Sequence, residues 1–165
     1  MAPVTTREAE EIERWNRIST LVRAACAVVE RAGTEVLIKF DGARDNDKIY
    51  TVVLDFGGVA SSREDSSDLE ETLSRLFGTG ISGATSPTEE FADRLRSFDF
   101  LAKRGFVVGL VILRDGAHLA FEVFLSRNDR TFEPMQRRGK VFAEVADETI
   151  RYAGQTSYLG PLGPL

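Results

Sequence analysis

The chain has one cysteine, one histidine and fewer bases than acids. No apolar run comes near the ~20 residues needed to span a bilayer. Each shortage removes a class of answer. Cys26 alone can form neither an intrachain disulfide nor a cysteine-pair metal site. The opening MAPVTTREAEEIERW lacks a basic region followed by an apolar core, so it does not read as a secretory signal. A cytoplasmic location is expected. With 21 Lys and Arg against 26 Asp and Glu, the net charge is −5. That balance argues against nucleic-acid binding, which needs a basic surface to neutralise phosphates. Phosphate loops are missing too: FGGVASS and GTGISG lack the Lys-Ser/Thr ending of a P-loop and the strand-to-helix order of a dinucleotide site.

What is present describes an ordinary globular domain. The 165 residues are 42% apolar and 28% charged, enough to bury a core without staples. Thr5 and Glu8 form a capping box, and Trp15, Ile18, Val22, Ala25, Val29 and Ala32 recur at helical spacing until Gly33 supplies a left-handed stop. The period then becomes two, with Val36, Ile38 and Phe40 on one strand face and Tyr50, Val52, Leu54 and Phe56 on the next. Ser67 with Glu70 marks a short second helix carrying Leu69, Leu73, Leu76 and Phe77. GTGISGATSP reads as a linker, and Ser86, Pro87 and Glu89 as the start of a third helix with Phe91, Leu95, Phe98 and Ala102 apolar. A second hairpin follows, FVVGLVILR and AHLAFEVFLS around Asp115-Gly116, with the first strand apolar enough to be expected central and covered on both sides. A last helix covers about Lys140 to Ala153.

The expected fold is therefore a single two-layer α+β domain over residues 1–154, in the order α-ββ-α-α-ββ-α. Its four-stranded antiparallel sheet comes from two β-hairpins and is flanked by helices packed mainly on one face. Residues 155–165 form a C-terminal tail, poorly ordered unless it docks. The two hairpins echo each other, VLIKFDGAR against LVILRDGAH. Both glycines, Gly42 and Gly116, are read as serving the positive φ that such turns require.

Chemistry is sparse. His118 falls on the strand alternation opposite Leu119, Phe121, Val123 and Leu125 and is expected to face solvent, whereas Cys26 sits among alanines like a small buried hydrophobe. No nucleophile, base and orienting group stand out together, so the chain is read as non-catalytic. Asp41, Asp45 and Asp47 lack the ligand order of an EF-hand and read as a solvated turn rather than a cation site. No metal and no cofactor are expected. The basic stretch Gln136 to Lys140 reads as a solvated helix entry.

Polar surface remains. The first hairpin tip carries Asp41, Arg44, Asp45, Asn46 and Asp47, on a loop longer than the favoured two residues. A second acidic group, beginning with Glu64 and Asp65 and continuing through Asp68, Glu70 and Glu71, follows the returning strand and is expected near the opposite end of the sheet. Asp41, Arg44, Asp45, Asn46, Asp47, Glu64 and Asp65 are the candidate partner-binding residues, since a charged loop on a rigid sheet suits a basic protein partner.

Through the stretch IKFDGARDNDKIYTVVL, and in size, charge and helix-hairpin-helix order, the chain resembles bacterial immunity proteins of polymorphic toxin systems. The resemblance implies a monomer or weak homodimer that binds and neutralises a cognate toxin domain, without nucleic acid or membrane. Alternatives are an acidic secretion chaperone or adaptor, dimeric and holding an extended client, and a small enzyme or ligand-binding domain using carboxylates.

Overall fold

The computed structural model describes residues 4–55, 61–78 and 91–155. The first helix, α1 (Thr6–Ala32), begins at the expected capping box: the Thr5 side chain accepts from the Glu8 N–H while the Glu8 carboxylate accepts from the Thr5 N–H. It stops at Gly33, whose φ of 65° lets its N–H reach back to the Val29 carbonyl. Trp15, Ile18, Val22, Ala25 and Val29 are buried along one stripe, whereas Ala32 is exposed.

Strands β1 (Glu35–Asp41), β2 (Tyr50–Asp55) and β3 (Ser62–Ser66) follow, then α2 (Leu69–Phe77) and α3 (Phe91–Lys103). Strands β4 (Phe106–Asp115), β5 (His118–Arg127) and β6 (Met135–Gly139) precede the last helix, α4 (Phe142–Gln155). The strands form one sheet in the order β3-β2-β1-β4-β5-β6, antiparallel throughout. This corrects the expected four-stranded sheet: among the described residues there are six strands, and each hairpin extends into a three-stranded meander. The additions are the outer strands, SREDS and MQRRG. Neither shows apolar alternation, because an edge strand is exposed on its outer side and is commonly guarded by charge.

The four helices among the described residues all pack on one face. That face carries Val36, Ile38, Phe40, Tyr50, Val52, Phe106, Val108, Leu110, Ile112, Phe121, Val123 and Leu125, every one of them buried. Aromatic rings knit the two layers: Phe40 meets Tyr50 and Phe98 edge-on, and Phe98, Phe91 and Phe121 surround Phe142. The buried Asp99 carboxylate on α3 accepts from the Tyr50 hydroxyl at 2.5 Å and from Lys103 at 2.7 Å, tying helix to strand. Burial first, then the bond to Asp99, pushes the Tyr50 phenol well above its ordinary range. The second helix starts one residue later than the Ser67–Glu70 spacing suggested: Asp68 is the cap and accepts from the Glu71 N–H at 3.1 Å. The cap expected at Ser86, Pro87 and Glu89, the linker before it, and the tail beyond residue 155 lie outside the described residues. No helix among the described residues is long and apolar enough to cross a membrane.

Candidate partner-binding site

The opposite face of the sheet carries no helix among the described residues, and the first hairpin tip rises at one end of it. Alternation dictates what lies there. With Val36, Ile38 and Phe40 turned to the helices, Leu37, Lys39 and Asp41 must point the other way, as must Thr51, Val53, Arg63 and Asp65 on the neighbouring strands. Register brings Lys39 opposite Thr51 and Thr51 opposite Asp65.

Arg44 is the hub of this end. Its Nε donates to Asp41 Oδ2 at 3.2 Å, one terminal nitrogen to the Lys48 carbonyl at 2.9 Å, and the other to Thr51 Oγ1 at 3.0 Å and Asp65 Oδ1 at 3.1 Å. The planar guanidinium thus spans β1, the loop, β2 and β3, which a lysine could not do. Lys39 Nζ donates to Asp41 Oδ2 at 2.7 Å, and the Ala43 N–H to Asp41 Oδ1 at 3.2 Å. Thr51 passes a further bond to Asp65 Oδ1 at 2.6 Å, where Arg63 also arrives at 3.3 Å.

The charges follow the geometry. For Asp65 the Thr51 hydroxyl is the largest influence; with Arg63 and Arg44 it lowers the carboxyl pKa to about 2. Burial works to raise the Asp41 pKa, but the bond and charge of Lys39, the Ala43 N–H and Arg44 outweigh it and leave the group below its ordinary value. Asp41 is only 6% exposed. It is therefore a brace inside the molecule, and the outward charges of the tip are Asp45 and Asp47, exposed with Asn46 between them, and the adjoining Lys48, also exposed.

Two further contacts fix the loop. The Asn46 side chain accepts from the Lys48 N–H at 3.0 Å. Gly42 donates its N–H to the Phe106 carbonyl at 3.0 Å and lies so close to the end of α3 that a Cβ there would sit 1.7 Å from the Ala102 oxygen. Gly42 has no positive φ, unlike Gly116 at 63°. The Asp-Gly-Ala echo is therefore not one turn used twice. At Gly116 the glycine serves the backbone twist of a tight hairpin; at Gly42 it makes room for another backbone.

No family model, curated protein or solved structure matches this chain. The site is therefore read from its own geometry. Of the seven candidate residues, Asp41, Arg44 and Asp65 meet in one network, and Asp45, Asn46 and Asp47 stand above it. Glu64 points to the helix side, where it pairs with Arg75 of α2. The expected separation of the two acidic groups is corrected for Asp65. The third strand runs antiparallel to β2, which returns Asp65 to the tip. Lys39, Thr51 and Arg63 complete the network and were missed as site residues, although strict alternation from Val36 already places Lys39 on the face of Asp41. His118 is exposed on β5. Among the described residues no three His, Cys, Asp or Glu side chains gather as a metal site would require.

Proposed function

We propose that this chain is a non-catalytic protein-binding module, an immunity-type inhibitor that captures a toxin domain through the hairpin tip. The observation that carries this reading is the bracing of loop 42–48. Arg44, Asp41, Asn46 and the Gly42 backbone tie it down at several points, so Asp45 and Asp47 are offered in a fixed position. Ordering a loop at the moment of binding costs affinity; a loop ordered beforehand avoids that cost. Two aspartates held on such a loop complement a basic patch on a partner and steer its approach.

The test is co-expression with the product of the reading frame directly upstream in the source cell. Growth arrest by that product, relieved by this chain and restored by the Asp45→Asn, Asp47→Asn pair, is the expected result. A harmless neighbour, or a toxic one that the chain neither relieves nor binds, would overturn the reading.

A second reading, a secretion chaperone or adaptor, draws on the exposed outer strands β3 and β6, since an extended client segment can add to a sheet edge. It requires binding of unfolded peptide, whereas an inhibitor requires a folded domain.

A further inference from the structure

We propose that Asp65 is a positioning residue of the hairpin tip: from β3, outside the loop, it holds Arg44, and through Arg44 it fixes the segment that carries Asp45 and Asp47. The inference rests on the protein-binding reading for its purpose, but its test involves no partner.

Most bonds of the loop are internal. The Asp41 N–H closes the neck on the Ile49 carbonyl at 2.7 Å, the Asn46 side chain accepts from the Lys48 N–H, and the Asp47 carbonyl accepts from the Ile49 N–H. These bonds shape the turn without tying its outer part to the sheet. The ties to the strands leave from one group. The Arg44 guanidinium reaches Asp41 at the end of β1, Thr51 on β2 and Asp65 on β3.

Among these three acceptors, Asp65 has a distinct place. Asp41 adjoins the loop and shares its neck, and Thr51 carries no charge. Asp65 lies 21 residues from Arg44, on a strand that the loop does not connect, and offers a full charge. Its carboxylate is itself held. Thr51 donates to the same Oδ1 at 2.6 Å and Arg63 at 3.3 Å, so the acceptor presented to Arg44 is already fixed. Arg44, Thr51 and Asp65 close a triangle of bonds at 3.0, 3.1 and 2.6 Å. Charge-assisted bonds joined in a network hold better than an isolated surface pair. A loop fastened to the fold at one guanidinium opens as a unit when that fastening is lost, while the sheet stays closed. Asp45 and Asp47 would then lose their fixed position, and docking them would first have to restore it, at a loss of affinity.

Amide hydrogen exchange of the free full-length chain is the test, read at Ala43 and Lys48, whose N–H groups donate to Asp41 and Asn46. Asp65→Asn and Arg44→Lys should each speed exchange at both amides several-fold, with the amides of β1 and β4 unchanged. Glu64→Gln is the control. It weakens the neighbouring pair with Arg75 of α2 on the same strand, yet should leave both loop amides as in the parent. Equal acceleration by Glu64→Gln would mean that the loop feels only the general stability of β3, which overturns the proposal. A parent chain whose Ala43 and Lys48 amides exchange without protection overturns it too, as do Asp65 and Arg44 variants that keep the protection intact. If Asp65→Asn loosens the whole sheet, Arg44→Lys, which keeps the charge but loses the planar fork, decides alone. A failure of the inhibitor reading shows separately, in the co-expression assay.

Discussion

Gly42 and Gly116 occupy the same letters of an echoed motif yet should respond differently to alanine. Gly116 has open space around it, so alanine there meets only the left-handed backbone penalty of about 1–2 kcal/mol. At Gly42 the new methyl group would collide with the Ala102 carbonyl and crowd that of Phe106, and neither backbone can move without opening the α3–β4 junction. Gly42→Ala should cost more than Gly116→Ala, beyond about 3 kcal/mol, the upper end of ordinary overpacking. Urea unfolding of the two variants decides it, and equal losses would mean that the close approach is not rigid. A second residue-scale expectation concerns Asp65. Its pKa falls from 3.8 to about 2, chiefly through the Thr51 hydroxyl and then Arg63 and Arg44. A carboxyl with a depressed folded pKa adds stability that is present above the unfolded value and lost as pH falls through the folded one. The contribution should therefore disappear between about pH 4 and pH 2. The side chain is 35% exposed, so solvent screening keeps it small. Denaturant midpoints from pH 2 to pH 7 should show a shallower acid limb for Asp65→Asn, and superimposable limbs would remove Asp65 from the balance.

At the scale of elements, α3 holds the layers together. Phe98 is fully buried, edge-on to Phe40 of β1 and to Phe142 of α4. Its neighbours are rings fixed by other contacts, so a cavity there cannot easily collapse. Phe98→Ala should cost ~3–5 kcal/mol, read from the urea midpoint with the slope unchanged. A loss below ~1 kcal/mol would place the packing centre elsewhere. The same contrast between buried and exposed elements decides what could be read from the sequence. The Trp15 stripe, the alternation in VLIKF and FVVGLVILR and the helical spacing of Phe91, Leu95 and Phe98 are all consequences of facing one core, and burial writes periodicity. Strands β3 and β6 pair through backbone groups and carry Arg63, Glu64, Asp65, Gln136, Arg137 and Arg138, so their side chains record solvent instead of sheet. The site was legible to the same degree. Its tip residues were visible as charges on a long loop, but Arg63 joins them only because β3 doubles back beside β2.

For the molecule as a whole, charge would decide how the proposed partner arrives. Net charge −5 gives a diffuse negative field, and much of the local charge is already neutralised: Asp41 by Lys39 and Arg44, Glu64 by Arg75, Glu70 by Arg17. Asp45 and Asp47 remain exposed on a braced loop beside the exposed Lys48, where, under the proposed function, they would set the approach of a basic partner more than the strength of the final complex. Exposed rim charges act mainly on association rate, and buried pairs on dissociation. Changing both residues to Asn should slow association with the partner at low salt, by about tenfold if the two charges provide the steering. The slowing should fade as added salt shortens the Debye length to about 3 Å at 1 M. Dissociation should change little, and thermal stability should stay within about 0.5 kcal/mol of the parent, as expected for solvated loop charges. Stopped-flow association at a series of salt concentrations measures this directly. An unchanged rate at low salt, with the melting temperature preserved, would remove the tip from the encounter. The docking charges would then have to be sought among Glu64, Glu70 and Glu71 or at Arg137 and Arg138.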